Sequence, residues 1–533
     1  MATRAPLPIA VRPSGSFDGA DGAWSTFNFN VGGDGGSRLG QNFKMLPSTS
    51  RSTTLLPLEA AWCDTPSPSQ CAERRGVLPY NSQQGLGYQP NASSHYQSLG
   101  LFNLEVSVPA LTPPESGRYG LTSIGAGLAA VDGLVLDGQL VAGYVAEEPF
   151  LSSVGLANTL IDVGAGGLGS YLAGLNASGL IPSLSYSYTA GAKYRDKGVP
   201  GSLVLGGYDR SRLDGGVSIS MPGPTNSTLV AGVQSITISS SAPAGGNVYS
   251  ATAGSSGFFA VIDSSSPYLW LPPAVCDAFE RAFALTYDSA SGRYLVNDTA
   301  RERNRARGML VSLQVGNAVE AGAGSVSIDM PYDAFDLEAG FPLFPTATRY
   351  FPIRRAVGGV SVVGRVFLQE AMLVVDYGHR NFTVARARFP SPLPPADIVA
   401  IAGPQASGRA RASKTNAIAV ALPIVCVALF VALAMALWHF RCRSARRASG
   451  AGEGAPMGAG SAHPLEADTS REQFELESPL GNEDKSAYFN PASVFPTRPA
   501  EKPTASAVEV AELPAEVPPL TADGRNGVFK EMN

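Results

Sequence analysis

The stretch Val261-Ile262-Asp263-Ser264-Ser265-Ser266-Pro267-Tyr268-Leu269-Trp270-Leu271-Pro272 decides the fold of this chain, because an earlier stretch repeats its pattern. The earlier stretch is Leu46-Pro47-Ser48-Thr49-Ser50-Arg51-Ser52-Thr53-Thr54-Leu55-Leu56-Pro57. Each begins with apolar residues, passes through a hydroxyl-rich turn and closes with apolar residues on a proline. We call residues 46–57 the first loop and residues 261–272 the second loop. When they are aligned from the closing proline, Ser48 falls where Asp263 falls.

Three further motifs accompany the two loops. They are Gly32-Gly33-Asp34-Gly35-Gly36 ahead of Gln41-Asn42-Phe43, then Gly201-Ser202-Leu203-Val204-Leu205-Gly206-Gly207-Tyr208-Asp209, and last Val362-Val363-Gly364-Arg365-Val366-Phe367-Leu368 leading to Val374-Val375-Asp376-Tyr377. In these motifs and in the paired loops, the chain resembles the pepsin-like aspartic proteases over nearly all of residues 20–390. The resemblance implies a mainly β, two-lobed fold, with an N-terminal lobe at 15–190, a C-terminal lobe at 191–390 and a short lead at 1–14.

Hydrophobic periodicity supports a β fold independently of the resemblance. Apolar residues alternate with polar ones in four runs, which predicts half-buried antiparallel strands between Gly/Pro/Asn turns. One helical pattern, with apolar residues at i, i+4 and i+8, follows the second loop. The strand runs are Phe27/Phe29/Val31, Phe102/Leu104/Val106/Val108, Val311/Leu313/Val315 and Val326/Ile328/Met330, and the helix is marked by Val275/Phe279/Phe283.

The resemblance also implies a catalytic site, which this sequence supplies only in part. Family members use two carboxylates that share a proton, one from each loop. Asp263 provides one, whereas Ser48 occupies the position of the other and its hydroxyl does not ionise near neutral pH. Asp34 and Glu59, the nearest acids in sequence, are not expected to reach the site. We therefore interpret Asp263 as a vestigial catalytic residue.

Two more features of the family site are missing. The glycine that follows each Asp-Thr/Ser is Ser50 in the first loop and Ser265 in the second. The flap that covers the substrate carries a tyrosine in the family. Here the predicted flap strand from Phe102 to Val108 continues into Pro109-Ala110-Leu111-Thr112-Pro113-Pro114, with no tyrosine at its tip.

Composition excludes several other functions. The net charge is −5, and no basic block interleaved with aromatic residues is present, so a nucleic-acid partner is not expected. Four widely scattered histidines disfavour a histidine metal site or a Ser-His-Asp triad, and the phosphate-binding loop motif is absent. We predict neither a metal nor another cofactor.

Residues 417–440 predict a transmembrane helix, because they are strongly apolar and reach about 36 Å at ~1.5 Å per residue. The preceding residues 391–416 are rich in Pro, Ala and Ser and predict a juxtamembrane linker. Residues 441–533 cannot form an apolar core, so we predict a disordered tail. The same layout, with its degenerate site, resembles membrane-anchored pepsin-like proteins of filamentous fungi.

Orientation follows from charges and glycosylation motifs. Arginines follow the span directly, which places the tail in the cytoplasm. The five Asn-x-Ser/Thr motifs all precede the span, which places the N-terminal part in the lumen or outside the cell, with the plasma membrane as the expected location. The arginines are Arg441, Arg443, Arg446 and Arg447, and the glycosylation candidates are Asn91, Asn176, Asn226, Asn297 and Asn381.

Residues Met1 to Ser14 hold no apolar stretch of signal-peptide length, so we expect the translated protein to begin further upstream.

Cysteine usage is typical of an oxidising compartment. Cys63 and Cys71 are close enough in sequence to close a short loop by a disulfide. Cys276 has no evident partner and is predicted to be a buried free thiol. Cys426 falls within the span, and Cys442 just after it is a candidate for palmitoylation.

Two functional hypotheses of different classes follow from these residues. In the first, the protein is a catalytically inactive receptor whose inter-lobe cleft binds a peptide or a cell-wall ligand, while the tail is a candidate for binding cytoplasmic partners. In the second, it is a membrane-bound aspartic endopeptidase of low or atypical activity. A purely structural surface glycoprotein is a third interpretation, which the linker, span and tail and the lack of a long Ser/Thr-rich stalk disfavour.

Overall fold

The computed structural model describes residues 5–404, except 37–38, 65–67, 79–86, 94, 106–114, 130–133, 165, 224–225, 242–248, 253–256 and 321–323. The predicted transmembrane helix 417–440, the tail 441–533, most of the linker and the predicted flap tip lie outside the described residues. Within the described residues, no helix is long and apolar enough to cross a bilayer. All described residues fall within a single compact unit, which is mainly β.

The first half of the unit consists of short and medium strands with two short helices. Its elements are β1 (Ile9–Val11), β2 (Pro13–Asp18), β3 (Trp24–Val31), β4 (Gln41–Ser48), β5 (Thr54–Pro57), α1 (Pro68–Arg74), β6 (Gln97–Asn103), β7 (Ser116–Ala126), β8 (Val135–Tyr144), β9 (Ser153–Gly155), β10 (Ile161–Asp162), β11 (Gly167–Leu168) and α2 (Tyr171–Ala177).

The second half contains more strands and four further helices. Its elements are β12 (Ser185–Thr189), β13 (Ser202–Leu205), β14 (Gly207–Asp209), β15 (Leu213–Ser220), β16 (Val230–Ser240), β17 (Tyr249–Ser250), β18 (Phe258–Ile262), β19 (Leu269–Leu271), α3 (Pro273–Phe283), β20 (Thr286–Asp288), β21 (Arg293–Leu295), α4 (Asp298–Ala306), β22 (Met309–Gly316), β23 (Ser325–Pro331), α5 (Tyr332–Phe335), β24 (Leu337–Ala339), β25 (Thr348–Phe351), β26 (Ile353–Arg355), β27 (Ser361–Val363), α6 (Arg365–Leu368), β28 (Ala371–Asp376), β29 (Asn381–Ala387) and β30 (Ile398–Ala400).

Most of the predicted secondary structure is confirmed. Successive side chains of a strand point to opposite faces of the sheet, and the alternating residues of β3, β22 and β23 are buried as predicted. The helical pattern after the second loop forms α3, whose Val275, Phe279 and Phe283 are buried. Of the predicted strand from Phe102 to Val108, Phe102 lies in β6, which ends at Asn103, Leu104 lies beyond the strand, and residues 106–108 fall outside the described residues.

Both ends of the described chain take part in the fold, contrary to two predicted boundaries. The predicted lead 1–14 contributes β1, which pairs with β13. The predicted linker contributes β30, which pairs with β14, and the Asp397 carbonyl before it accepts from the Arg210 amide at 2.8 Å. The composition of these segments gave no sign of β1 and β30, which are only three residues long each.

Three sheets carry most of the strands. The first has the order β2-β3-β4-β9-β5-β8-β7-β6 and comes wholly from the first half. The second has the order β23-β22-β16-β18-β27-β19-β26, with β17 beside β16, and comes from the second half. A six-stranded sheet, β1-β13-β12-β28-β29-β15, joins the N-terminal strand to strands of the second half.

The first two sheets repeat one local topology around the two loops. In the first sheet, β9 lies between β4 and β5, parallel to β4 and antiparallel to β5. In the second sheet, β27 lies between β18 and β19, again parallel to the strand before the turn and antiparallel to the strand after it. On its other side, the strand after each turn has a parallel neighbour, which is β8 for β5 and β26 for β19. The pattern shared by the two loops therefore extends to the strands around them.

One glycine in each repeat lets the inserted strand pass close to its loop. A Cβ on Gly155, at the end of β9, would lie 2.2 Å from the Ser52 carbonyl oxygen. A Cβ on Gly364, directly after β27, would lie 2.3 Å from the Ser266 and Tyr268 carbonyl oxygens. Neither space admits a side chain, so only glycine allows the two backbone segments to lie this close together.

Candidate functional site

The turns of the two loops hold each other by reciprocal hydrogen bonds. The Thr49 amide donates to Ser264 Oγ at 3.0 Å, and the Ser264 amide donates to Thr49 Oγ1 at 3.0 Å. Thr49 Oγ1 donates onward to the Ile262 carbonyl at 3.1 Å, and Ser264 Oγ donates to the Pro47 carbonyl at 2.6 Å. These groups are buried, so water does not compete for them. The turns are thereby fixed against each other.

Beside these reciprocal hydrogen bonds, three hydroxyls and one carboxylate form a continuous group, which we call the serine–aspartate cluster. Ser50 Oγ donates to Asp263 Oδ1 at 2.7 Å, and the Ser265 amide donates to the same oxygen at 2.8 Å. Ser265 Oγ lies 2.6 Å from Ser48 Oγ and 3.3 Å from Ser50 Oγ. Ser48 and Asp263 are both 0% exposed, whereas Ser50 and Ser265 are half-buried. Each loop thus contacts the other, Ser48 through Ser265 and Asp263 through Ser50.

No second carboxylate takes part in this cluster among the described residues. Asp263 Oδ2 is buried and has no hydrogen-bond partner there. Asp34 is exposed and accepts from the Gly36 amide at 2.8 Å within its own hairpin. Glu59 is also exposed. Because Asp263 is fully buried, neither of these surface acids is its proton-sharing partner.

Ser50 and Ser265, at the positions where the resemblance predicts glycine, have ordinary backbone conformations. Ser50 and Ser265 do not adopt positive φ, so neither position demands a glycine on conformational grounds. The Ser265 amide still reaches the Asp263 carboxylate. The two serines add two hydroxyl groups, of which the Ser50 hydroxyl donates to Asp263 Oδ1 and the Ser265 hydroxyl contacts Ser48 and Ser50.

The Asp263 charge acts on a tyrosine of the six-stranded sheet. Burial, then the neighbouring Tyr377, and then the Asp263 carboxylate raise the pKa of Tyr186 well above its usual value. Tyr186 lies on β12 and is 0% exposed. Tyr186 is therefore uncharged at physiological pH.

Glu105, which the sequence did not single out, clamps the chain after β6 onto the first loop. Its carboxylate accepts from the Ser52 amide at 3.1 Å and from the Thr53 amide at 2.7 Å. Its carbonyl accepts from Arg51 Nε at 3.1 Å. Burial and the Glu105 charge raise the pKa of Tyr119, on the neighbouring strand β7, to about 12. Glu105 thus connects the base of the predicted flap to the first loop.

We expect Glu105→Gln to loosen the first loop without unfolding the protein. An amide group offers one oxygen where the carboxylate offers two, so one of the two backbone donors loses its acceptor. Hydrogen exchange at Ser52 and Thr53 should accelerate about tenfold, equivalent to ~1.4 kcal/mol. Mass spectrometry of peptides covering the first loop measures this rate. Glu115→Gln, at an exposed position before β7, is the control; equal exchange in both variants would refute the clamp.

Arg365 binds the backbone of the second loop, and the sequence analysis did not single it out. It follows Gly364 as the first residue of α6 and is 3% exposed. Its Nη1 donates to the Ser264 and Ser265 carbonyls at 2.8 and 2.9 Å. Its Nη2 donates to Asp21 Oδ2 at 3.0 Å. Arg365 thus connects the loop that carries Asp263 to the turn between β2 and β3.

The remaining predicted site residues lie apart from the cluster. Cys63 and Cys71 form a disulfide, with their Cα atoms 5.6 Å apart. Cys276 is a buried free thiol, and burial raises its pKa to about 12. Cys426 and Cys442 fall outside the described residues. Of the predicted glycosylation sites, two are exposed and three half-buried: Asn91 and Asn297, and Asn176, Asn226 and Asn381.

The described part of the chain contains no group of three or more His, Cys, Asp or Glu side chains placed to hold a metal ion. No family model matches this chain, and no curated protein matches it either.

Proposed function

We propose that this chain is a membrane-anchored, catalytically inactive relative of the pepsin-like aspartic proteases, which binds a peptide or cell-wall ligand between two lobes. The lobes would comprise residues 15–190 and 191–390. The repeated strand topology around the two loops supports this proposal, as does the six-stranded sheet that joins the N-terminal strand to the second half.

The observation that carries the proposal is the composition of the serine–aspartate cluster. Peptide hydrolysis by two aspartates needs one carboxylate to take a proton from water while the other protonates the scissile carbonyl. Here Ser48 stands in the second position and contacts Ser265 at 2.6 Å. One oxygen of Asp263 is already held by Ser50 and Ser265. A single carboxylate cannot divide the acid and base roles, whereas the fixed loops still offer polar groups to a ligand.

The anchoring part of the proposal rests on the sequence. The apolar segment 417–440 would span the membrane, with the folded unit outside and residues 441–533 in the cytoplasm. The exposure of Asn91 and Asn297 is compatible with glycans on the outer side. Glycosidase treatment of intact cells should then reduce the apparent mass, while an epitope in the tail stays protected from added protease.

Peptide binding to the full-length protein in detergent tests the proposed function. We expect a fluorescent, unstructured peptide to bind and to be recovered intact by mass spectrometry. Ser265→Trp places a large side chain over the half-buried cluster and should weaken binding at least about tenfold, or ~1.4 kcal/mol. Ser289→Trp, at an exposed turn, is the matched control. Equal affinity of both variants would place the bound peptide elsewhere and contradict the proposal.

A further inference from the structure

The hydroxyl protons of the serine–aspartate cluster have a single consistent order. A hydroxyl donates one proton and offers two lone pairs, and an ionised carboxylate only accepts. The Ser50 proton is therefore used on Asp263 Oδ1, at 2.7 Å. In the 3.3 Å contact with Ser50, Ser265 must then be the donor, and in the 2.6 Å contact with Ser265 the donor must be Ser48. The Arg51 amide, which donates to Ser48 Oγ at 3.2 Å, agrees with this order.

The other two hydroxyls of the paired turns are also used inside the protein. Thr49 Oγ1 donates to the Ile262 carbonyl, and Ser264 Oγ donates to the Pro47 carbonyl. All five hydroxyl protons of residues 48–50 and 264–265 thus have acceptors within the fold. The half-buried Ser50 and Ser265 hydroxyls therefore have only lone pairs free for a ligand. The Asp263 carboxylate, at the end of this series of hydrogen bonds, makes them stronger acceptors.

The charge of Asp263 lacks a contacting cation among the described residues. Its carboxylate is 0% exposed, and Oδ2 has no hydrogen-bond partner there. The guanidinium of Arg365, which contacts the second loop, donates its hydrogen bonds to the Ser264 and Ser265 carbonyls and to Asp21 instead. A buried carboxylate without a cation is costly, so a positive group brought by a ligand would lower the free energy of the site.

We propose that the cluster receives the primary ammonium group of a lysine side chain in a bound peptide. This inference rests on the proposed function and names its ligand chemistry. An ammonium group is a compact charge with three donors and no acceptor, which complements a site that offers only acceptors. Ser50 Oγ and Ser265 Oγ are 3.3 Å apart, so one nitrogen contacts both.

An ammonium group from a peptide lysine fits these loops better than one from an amino sugar. Sugar rings pack their apolar faces on exposed aromatic rings. The aromatic residues of the two loops, Tyr268 and Trp270, are 4% and 6% exposed and pack against each other. The loops therefore give a sugar ring no surface to stack on, whereas a lysine needs none.

Three matched peptides test the proposal on the full-length protein in detergent. They are acetylated and amidated at their ends and differ only at a central lysine, acetyl-lysine or glutamate. We expect the lysine peptide to bind at least about tenfold more tightly than the acetyl-lysine peptide, and the glutamate peptide to bind weakest. Asp263→Asn removes the charge and should abolish the preference, and Ser50→Ala removes one acceptor and should reduce it. Asp214→Asn, at an exposed position on β15, should leave it unchanged.

The outcomes separate this inference from the proposed function. Equal binding of the lysine and acetyl-lysine peptides would overturn ammonium recognition and leave peptide binding intact. Failure of all three peptides to bind would overturn peptide binding itself. Binding of a glucosamine oligomer, in preference to its N-acetylated form and without any peptide binding, would overturn the assignment to lysine. A lysine preference that survives in both Asp263→Asn and Ser50→Ala would place the ammonium site elsewhere.

Discussion

Replacing Arg75 by methionine is expected to destabilise the protein by about 3–5 kcal/mol, because three buried carbonyl groups lose a donor. Arg75 is 1% exposed. Its guanidinium donates to the Ala146, Leu58 and Phe150 carbonyls at 2.9, 3.1 and 3.3 Å. It also stacks between the Trp62 and Tyr144 rings, 5.0 and 5.1 Å from their centroids.

The shift of the urea unfolding midpoint measures this loss. Arg118→Met provides the control, because Arg118 is exposed on β7 and its replacement should change the free energy of unfolding by no more than ~0.5 kcal/mol. If Arg75→Met unfolded at the same urea concentration as Arg118→Met, the buried guanidinium would not be the support that its contacts indicate.

Replacing Arg365 by methionine is expected to cost a similar amount, about 3–5 kcal/mol, since a partly buried ion pair is broken and two carbonyl groups lose their donor. Asp21 would lose its cation, and the Ser264 and Ser265 carbonyls would lose their shared donor. The guanidinium also lies 4.8 Å above the Trp24 ring, so its packing is lost as well. Because these carbonyls belong to the second loop, the change should shift the position of Asp263 as well as lower the free energy of unfolding.

Arg365→Lys distinguishes charge from geometry. Lysine keeps the positive charge but is a point donor that cannot span the three acceptors in one plane. We expect a loss of stability between those of the wild type and Arg365→Met, measured by urea unfolding, with faster hydrogen exchange in the second loop. Full recovery in the lysine variant would mean that charge alone matters and that the fork of hydrogen bonds does not.

The parts of the fold that the sequence predicted are those encoded by a local pattern. Alternation in β3, β22 and β23 follows directly from the two-residue period of a strand. The contact between the two loops was expected from the resemblance, in which each loop contributes to one shared site, and not from the repeated pattern alone. The repeated strand insertion was not predicted, although Val154-Gly155 and Val363-Gly364 form its two-residue signal.

The supporting contacts of the site could not be predicted, because they depend on three-dimensional packing. Arg74 and Arg75 are adjacent and identical in type, yet the first is exposed and the second is buried among carbonyls. Glu105 lies 52 residues from the Thr53 amide that it binds. Arg365 lies 344 residues from Asp21. No periodicity or local motif links such pairs, whereas the chemistry of Asp263 and Ser48 was evident from their residue types.

Acid proteolysis by the purified full-length protein tests the central claim, that the site binds without cleaving. The rate of cleavage of unfolded casein is measured between pH 3 and 6, with and without pepstatin, for the wild type and for Asp263→Ala. Our account predicts that the wild type cleaves no faster than Asp263→Ala and that pepstatin has no effect. Cleavage that pepstatin inhibits and that Asp263→Ala abolishes, in a variant that remains folded, would contradict the account and establish the protein as an aspartic endopeptidase.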